Sequence, residues 1–153
     1  MKALRFGAIA TVVTAFVLVG VGTALAANGP SARPATVASA QSGLGRILVD
    51  SRGRTLYLFE KDRKGQSACS GLCTTYWPPL LTNGKSIAVK GAKKSLLGSI
   101  RRTDGNRQVT YAGHPVYFFS GDANRGQTNG EGLTDFGGSW DALTPAGKKI
   151  ERD

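Results

Sequence analysis

VDSRGRTLYLFEKD (residues 49–62) and VTYAGHPVYFFSGD (residues 109–122) align without a gap at a constant offset of 60, from Tyr57 to Tyr117 and from Asp62 to Asp122. Val, Gly, Tyr, Phe and Asp recur at equivalent places, and most other positions keep their hydrophobic character. An internal duplication accounts for this, each copy carrying a Tyr-x-aromatic-x-x-Asp unit. Each copy reads as a β-hairpin. Arg46 to Asp50 and Arg107 to Tyr111 alternate apolar with polar residues, a turn centred on Gly53 or Gly113 follows, and an aromatic, β-branched run returns. Side chains alternate across a strand, so Tyr57 and Phe59 share one face while Leu56 and Leu58 share the other. Burial on both faces is expected.

Asp62 and Asp122 stand three residues after Phe59 and Phe119. A short carboxylate at a strand exit accepts backbone N–H bonds and fixes the turn, and a buried tyrosine hydroxyl needs a polar partner. The motif residues Tyr57, Phe59, Asp62, Tyr117, Phe119 and Asp122 are therefore read as architecture, with hydrogen bonding expected within each motif. Downstream, both halves run through polar loops to a tryptophan, Trp77 or Trp140, at an offset of 63, and length differences of this size belong in loops. Between the halves, Ser95 to Ile100 reads as a strand and Asp104-Gly105 as a tight turn. Ala88 to Ser99 is the only weak helical candidate. The expected fold is all-β and mainly antiparallel, a single compact domain of two hairpin-containing repeats, approximately 44–81 and 95–147.

Upstream of the repeats, Lys2 and Arg5 precede an apolar run from Phe6 to Val21, and Thr23 to Ala27 supplies small residues at a peptidase site. Residues 1–26 are expected to be a signal peptide cleaved after Ala26, placing the protein in the secreted or cell-envelope compartment. The other reading is an uncleaved membrane anchor, since the run is close to the spanning minimum of about 17 residues. The site has no cysteine for lipid attachment. Residues 27–43, small, polar and proline-containing, are expected to be a flexible tether, with folding beginning near Leu44 and the domain covering 44–153.

Without Lys2 and Arg5, 18 basic side chains face 10 acidic ones, a net charge of +8 against +10 for the whole chain. This favours anionic partners such as a phosphate-rich cell-wall polymer or lipid head groups. Lys93, Lys94, Arg101 and Arg102 are the candidate contacts. No nucleic-acid-binding motif accompanies them.

With these residues in place, the chain resembles the bacterial secreted-repeat family, described as predicted lipoproteins with a Tyr-x-aromatic-x-x-Asp motif. The resemblance rests on the two motif copies, the Cys69 to Pro79 segment, Val109 to Pro115 and Gly126 to Trp140, and covers nearly all of residues 44–147. Many members carry a lipid-anchoring cysteine that this chain lacks at its signal. The resemblance implies export but no activity and no catalytic residues.

Cys69-Ser70-Gly71-Leu72-Cys73 is the sharpest local feature. An even number of closely spaced cysteines in an exported chain reads as a structural disulfide. The alternative is a redox or copper site, with His114, the only histidine, as a third ligand, because thiolates select Cu(I) and imidazole suits either oxidation state. No cofactor is expected on the first reading. His114 takes the place of Arg54 in the first copy, so the repeat does not require an imidazole there. No catalytic constellation is visible: there is no Gly-x-Ser-x-Gly elbow, and Asp62 and Asp122 occupy symmetric places rather than the unequal ones that acid and base need. The stretch from Gly126 to Gly132 lacks the Lys-Ser/Thr ending of a phosphate loop, and its acidic residues are too few for calcium. The chain reads as a non-enzymatic binding or structural module for an anionic or small-molecule partner.

Overall fold

The computed structural model describes residues 33–151. The signal-peptide and cleavage expectations fall on residues 1–26, outside the described residues. Among the described residues nine strands, β1 (Thr36–Ser42), β2 (Gly45–Asp50), β3 (Tyr57–Phe59), β4 (Ile87–Ala88), β5 (Leu97–Arg101), β6 (Arg107–Tyr111), β7 (His114–Pro115), β8 (Leu133–Asp135) and β9 (Gly138–Ala142), form three three-stranded sheets, ordered β2-β1-β4, β3-β9-β8 and β5-β6-β7, in which the only parallel pair is β1 with β4.

Each repeat begins with a hairpin ahead of its motif. β1 (Thr36–Ser42) pairs antiparallel with β2 (Gly45–Asp50), and β5 (Leu97–Arg101) pairs antiparallel with β6 (Arg107–Tyr111). The Asp104-Gly105 turn joins the second pair, with Gly105 at φ +84°. β1 corrects the expected tether: folding begins near Thr36, not Leu44. Val37 and Ala38 are buried, and β1 is the central strand of its sheet, between β2 and β4 (Ile87–Ala88). Its sequence TVASAQS has one large apolar side chain, so composition hides it. Backbone ladders on both edges and the small side chains hold it, the Ser39 hydroxyl donating to the Lys90 carbonyl at 2.6 Å.

The two turns differ by one residue. Val49 bridges Thr55, whereas Thr110 opposes Pro115 in β7 (His114–Pro115). Upstream of the turn, Leu48 thus corresponds to Val109, at an offset of 61. The gapless alignment holds only from Gly53 and Gly113 onward. A one-residue slip moves a side chain to the other face of a strand. Accordingly, Leu48 and Val109 lie in one core cluster, and Val49 lies in the other.

The expected hairpins close only near their turns, where the Leu56 N–H reaches Leu48 O at 3.0 Å and the Val116 N–H reaches Val109 O at 3.1 Å. The aromatic halves then cross to the other repeat. Tyr57 and Tyr117 exchange a reciprocal backbone pair, N–H to O at 2.9 Å in each direction. β3 (Tyr57–Phe59) pairs with β9 (Gly138–Ala142), which also carries β8 (Leu133–Asp135) at its other edge. Tyr57 opposes Ala142 in β9, and Tyr117 bridges Pro79, the counterpart of Ala142 in the first repeat. The repeats are interlocked about an approximate two-fold axis between the two tyrosines.

Among the described residues helix is confined to one turn, α1 (Cys73–Tyr76), and a 3₁₀ turn at Lys94–Leu96. The helical candidate at Ala88 to Ser99 is instead the end of β4, a turn at Lys90-Gly91, the 3₁₀ turn and the start of β5. Gly91 at φ +88° is incompatible with a continuing helix.

The two faces of the motif strands bury different chemistry, as their alternation requires. Leu56, Leu58, Val116 and Phe118 join Leu48, Val109, Leu80 and Leu143 in an aliphatic cluster. Tyr57, Phe59 and Tyr117 join Trp77, Trp140 and the disulfide in an aromatic one. There, Phe59 stacks on Trp140 at 4.0 Å, Trp140 on Trp77 at 4.0 Å, and Trp77 packs on Phe119 at 4.4 Å. Each phenylalanine therefore packs on the tryptophan of the other repeat, Phe59 stacked and Phe119 tilted. Each tyrosine packs edge-on against the tryptophan of its own repeat, at 5.5 Å for Tyr57 and 5.1 Å for Tyr117. Such contacts add about 0.5–1.5 kcal/mol each beyond area burial.

Candidate functional site

The polar ends of the motif meet across the axis. The Tyr57 hydroxyl donates to Asp122 Oδ2 at 2.7 Å, and the Tyr117 hydroxyl donates to Asp62 Oδ2 at 2.8 Å. The expectation of bonding within each motif is corrected: the tyrosine of one copy serves the carboxylate of the other. The swap follows from the reciprocal Tyr57–Tyr117 backbone pair, which carries each side chain over the opposite repeat. The remaining carboxylate oxygens fix the loops, as expected of Asp at a strand exit. Asp62 Oδ1 accepts the Ala68 N–H at 2.7 Å, and Asp122 Oδ1 accepts the Asn129 N–H at 2.9 Å.

The two pairs have unequal surroundings. Gln108 stands where the first repeat has Ile47, a buried inward position, and its partners build a polar network around Tyr117. Arg102 is buried and donates to Gln108 Oε1 at 2.7 Å, to Ser67 Oγ at 2.9 Å and to the Cys69 carbonyl at 2.7 Å. Its Nε lies 3.2 Å from Asp104 Oδ2. Ser67 Oγ sits 2.7 Å from the Tyr117 hydroxyl, and Gln108 Nε2 donates to the Val116 carbonyl at 3.0 Å. Around Tyr57 the corresponding contact is a 3.3 Å bond from the Gly130 N–H to its hydroxyl.

Burial pushes the Asp62 carboxyl up to about 6, against the opposing pull of the Ala68 N–H, the Tyr117 hydroxyl and the Arg102 charge. Burial raises Asp122 as well, opposed by Tyr57 and the Asn129 N–H. Both tyrosine hydroxyls are held well above the usual phenol range, by burial first and by their carboxylate partners. At neutral pH each tyrosine is a neutral donor. The carboxylate oxygens are already bonded on both sides, an arrangement suited to holding two repeats together.

The disulfide forms as expected, between Cys69 and Cys73. It closes the loop that contains the Arg102-bound carbonyl and leads into α1 and Trp77. The two sulfurs are bonded to each other, and among the described residues no group of three His, Cys, Asp or Glu side chains is placed to hold a metal. His114 is exposed and lines a shallow depression with Asp62, Arg63 and Lys64, whereas Cys69 lines a separate one with Ser67, Arg101 and Arg102. Arg54, its counterpart, pairs with Asp50 at 2.8 Å and lies over the Phe118 ring at 3.7 Å. Of the candidate anion contacts, Lys93, Lys94 and Arg101 are exposed. Arg102 is corrected: its guanidinium is spent on internal acceptors. Ser67 and Gln108 went unnoticed in the sequence, although a polar residue at the inward position that Ile47 takes in the first copy was the available signal.

Fold and site together define a duplicated, pseudo-symmetric β domain whose repeats are locked by their own motif residues. Residues 38–81 and 98–144, one stretch per repeat, match the family described as a secreted repeat of unknown function, 91 of the 153 residues in all. The chain belongs to that family. No curated protein and no solved structure matches it. Among the described residues no helix is long and apolar enough to cross a membrane.

Proposed function

We propose that the protein is a non-enzymatic binding module of the cell exterior, a rigid repeat scaffold that presents a basic surface to an anionic envelope partner. The observation that carries this reading is the division of polar groups. The motif carboxylates and tyrosines are turned inward and bonded to one another, and Arg102 is bonded to the internal acceptors Gln108, Ser67 and the Cys69 carbonyl, while Lys93, Lys94 and Arg101 face solvent without an acidic partner among the described residues. An anionic partner meets such a surface through salt-screened attraction. The test is retention of the purified protein on isolated cell envelopes across a salt gradient, beside a Lys93→Gln, Lys94→Gln, Arg101→Gln variant. Earlier elution of the variant supports the reading. Equal elution of both proteins, or retention indifferent to salt, refutes it.

A further inference from the structure

From Arg63 to Thr103 the chain holds no aspartate or glutamate in 41 residues, but eight lysines and arginines. Four of these, Lys85, Lys90, Lys93 and Lys94, flank β4 along the chain, and all four are exposed. Lys85 and Lys94 line one depression of about 150 Å³ with Ser86 and Ser99. Lys90 is held outward by a two-residue turn, at φ +46° beside Gly91 at φ +88°. The Ser39 N–H and hydroxyl pin its carbonyl at 3.2 and 2.6 Å. A non-glycine residue at positive φ is uncommon and needs such fixing. Neither β1, the ladder partner of β4, nor β5, whose Ser99 lines the depression, contains an acidic residue to neutralise the lysines.

Between these lysines the usual strand pattern is inverted. Ser86 turns its hydroxyl into the protein, where it is buried. Ile87 and Val89, which alternation places on the opposite side, are 49% and 37% exposed. A solvated edge strand ordinarily presents polar side chains and buries its β-branched ones. Here, aliphatic side chains stand in water in a segment that carries four exposed lysines.

We infer that this face, Ile87 and Val89 with Lys85, Lys90, Lys93 and Lys94, docks on an anionic phospholipid bilayer; the inference rests on the basic-surface reading above and assigns its partner. One observation favours lipid over a soluble polyanion. Exposed aliphatic side chains add nothing to phosphate binding in water, but they gain by entering the head-group boundary of a bilayer. Lysines near an anionic surface contribute about a fivefold gain in partitioning each, and the depth of insertion is set by the aliphatic pair.

The test is co-sedimentation of the mature exported protein with vesicles of phosphatidylglycerol and phosphatidylcholine, beside retention on immobilised polyphosphate. Binding is expected to the phosphatidylglycerol vesicles and to fall at least tenfold on pure phosphatidylcholine. The quadruple Lys→Gln variant at 85, 90, 93 and 94 should lose about 100-fold or more. An Ile87→Ser, Val89→Ser variant should lose about tenfold on vesicles, with polyphosphate retention unchanged. Circular dichroism and melting temperature confirm that these surface variants fold. Undiminished vesicle binding by the aliphatic variant, or binding to polyphosphate without binding to vesicles, overturns the lipid assignment and leaves the basic-surface reading standing. Absence of binding to either removes both.

Discussion

Replacing Tyr57 by phenylalanine deletes one hydroxyl from a side chain that is otherwise fully buried. Asp122 then loses the donor at 2.7 Å and keeps only the Asn129 N–H, while the Gly130 N–H loses an acceptor at 3.3 Å. A hydrogen bond to an ionised group is worth about 1.5–3 kcal/mol, so a loss of about 2 kcal/mol is expected. For the 119 residues described, an unfolding entropy of about 2.1 cal/mol/K per residue converts this to a fall of about 8 °C in Tm. The informative measurement is a double-mutant cycle in urea. Tyr57→Phe combined with Asp122→Asn, in the other repeat, should show a coupling of about 1–2 kcal/mol; combined with Asp62→Asn, in its own motif, it should be additive within about 0.5 kcal/mol. Tyr117→Phe should give the mirror result, coupling to Asp62. Coupling of Tyr57 to Asp62 and not to Asp122 would refute the crossed arrangement and with it the interlocking of the repeats.

The Cys69–Cys73 bond closes a loop of four-residue separation, for which chain entropy predicts about 2 kcal/mol; a Cys69→Ser, Cys73→Ser variant should melt about 8 °C lower, and intact-mass measurement should show the wild type two hydrogens lighter than its reduced form. Asp62 titrates near 6 in the fold against 3.8 as a free side chain, so the folded state holds the proton more tightly than the unfolded chain does. Its contribution to stability is fully present below about pH 4 and is lost as pH rises through about 6, and Asp122 acts with the same sign. Urea midpoints should fall over that window, and Asp62→Asn should flatten the decline; an unchanged slope in the variant counts against the assignment. Arg102→Met leaves Ser67, Gln108 and the Cys69 carbonyl without their donor, and a loss of about 2–4 kcal/mol is expected. The neighbouring Arg101→Gln should leave the melting temperature unchanged, since its guanidinium is exposed.

Much of this organisation is legible along the chain because it is encoded locally. Tyr57, Phe59, Leu56 and Leu58 announce a strand buried on both faces through alternation alone, and Gly53, Gly105 and Gly113 mark turns that need positive φ. The cysteine spacing points to a small staple, and the offset of 60 reveals the duplication. β1 escapes such reading because TVASAQS carries almost no hydrophobic signal; its ladder partners lie in β2 and in β4, some fifty residues away. The extra turn residue in the first copy is hidden by the chance match of Val49 with Val109. Only the side of the sheet on which each side chain packs exposes it.

The sequence by itself determined that there are two repeats, which residues form their cores and turns, and that the chain carries a large positive charge. Tertiary structure alone decided who bonds to whom. Tyr57 reaches Asp122, and Phe59 stacks on Trp140, because the aromatic strands cross at a two-fold axis that no local pattern specifies. The same folding buried Arg102 and left Arg101, Lys93 and Lys94 outside, although all four read alike in sequence. Charge is a property of a residue, but its availability to a partner depends on which acceptors the fold brings within 3 Å of it, here Gln108, Ser67 and the Cys69 carbonyl.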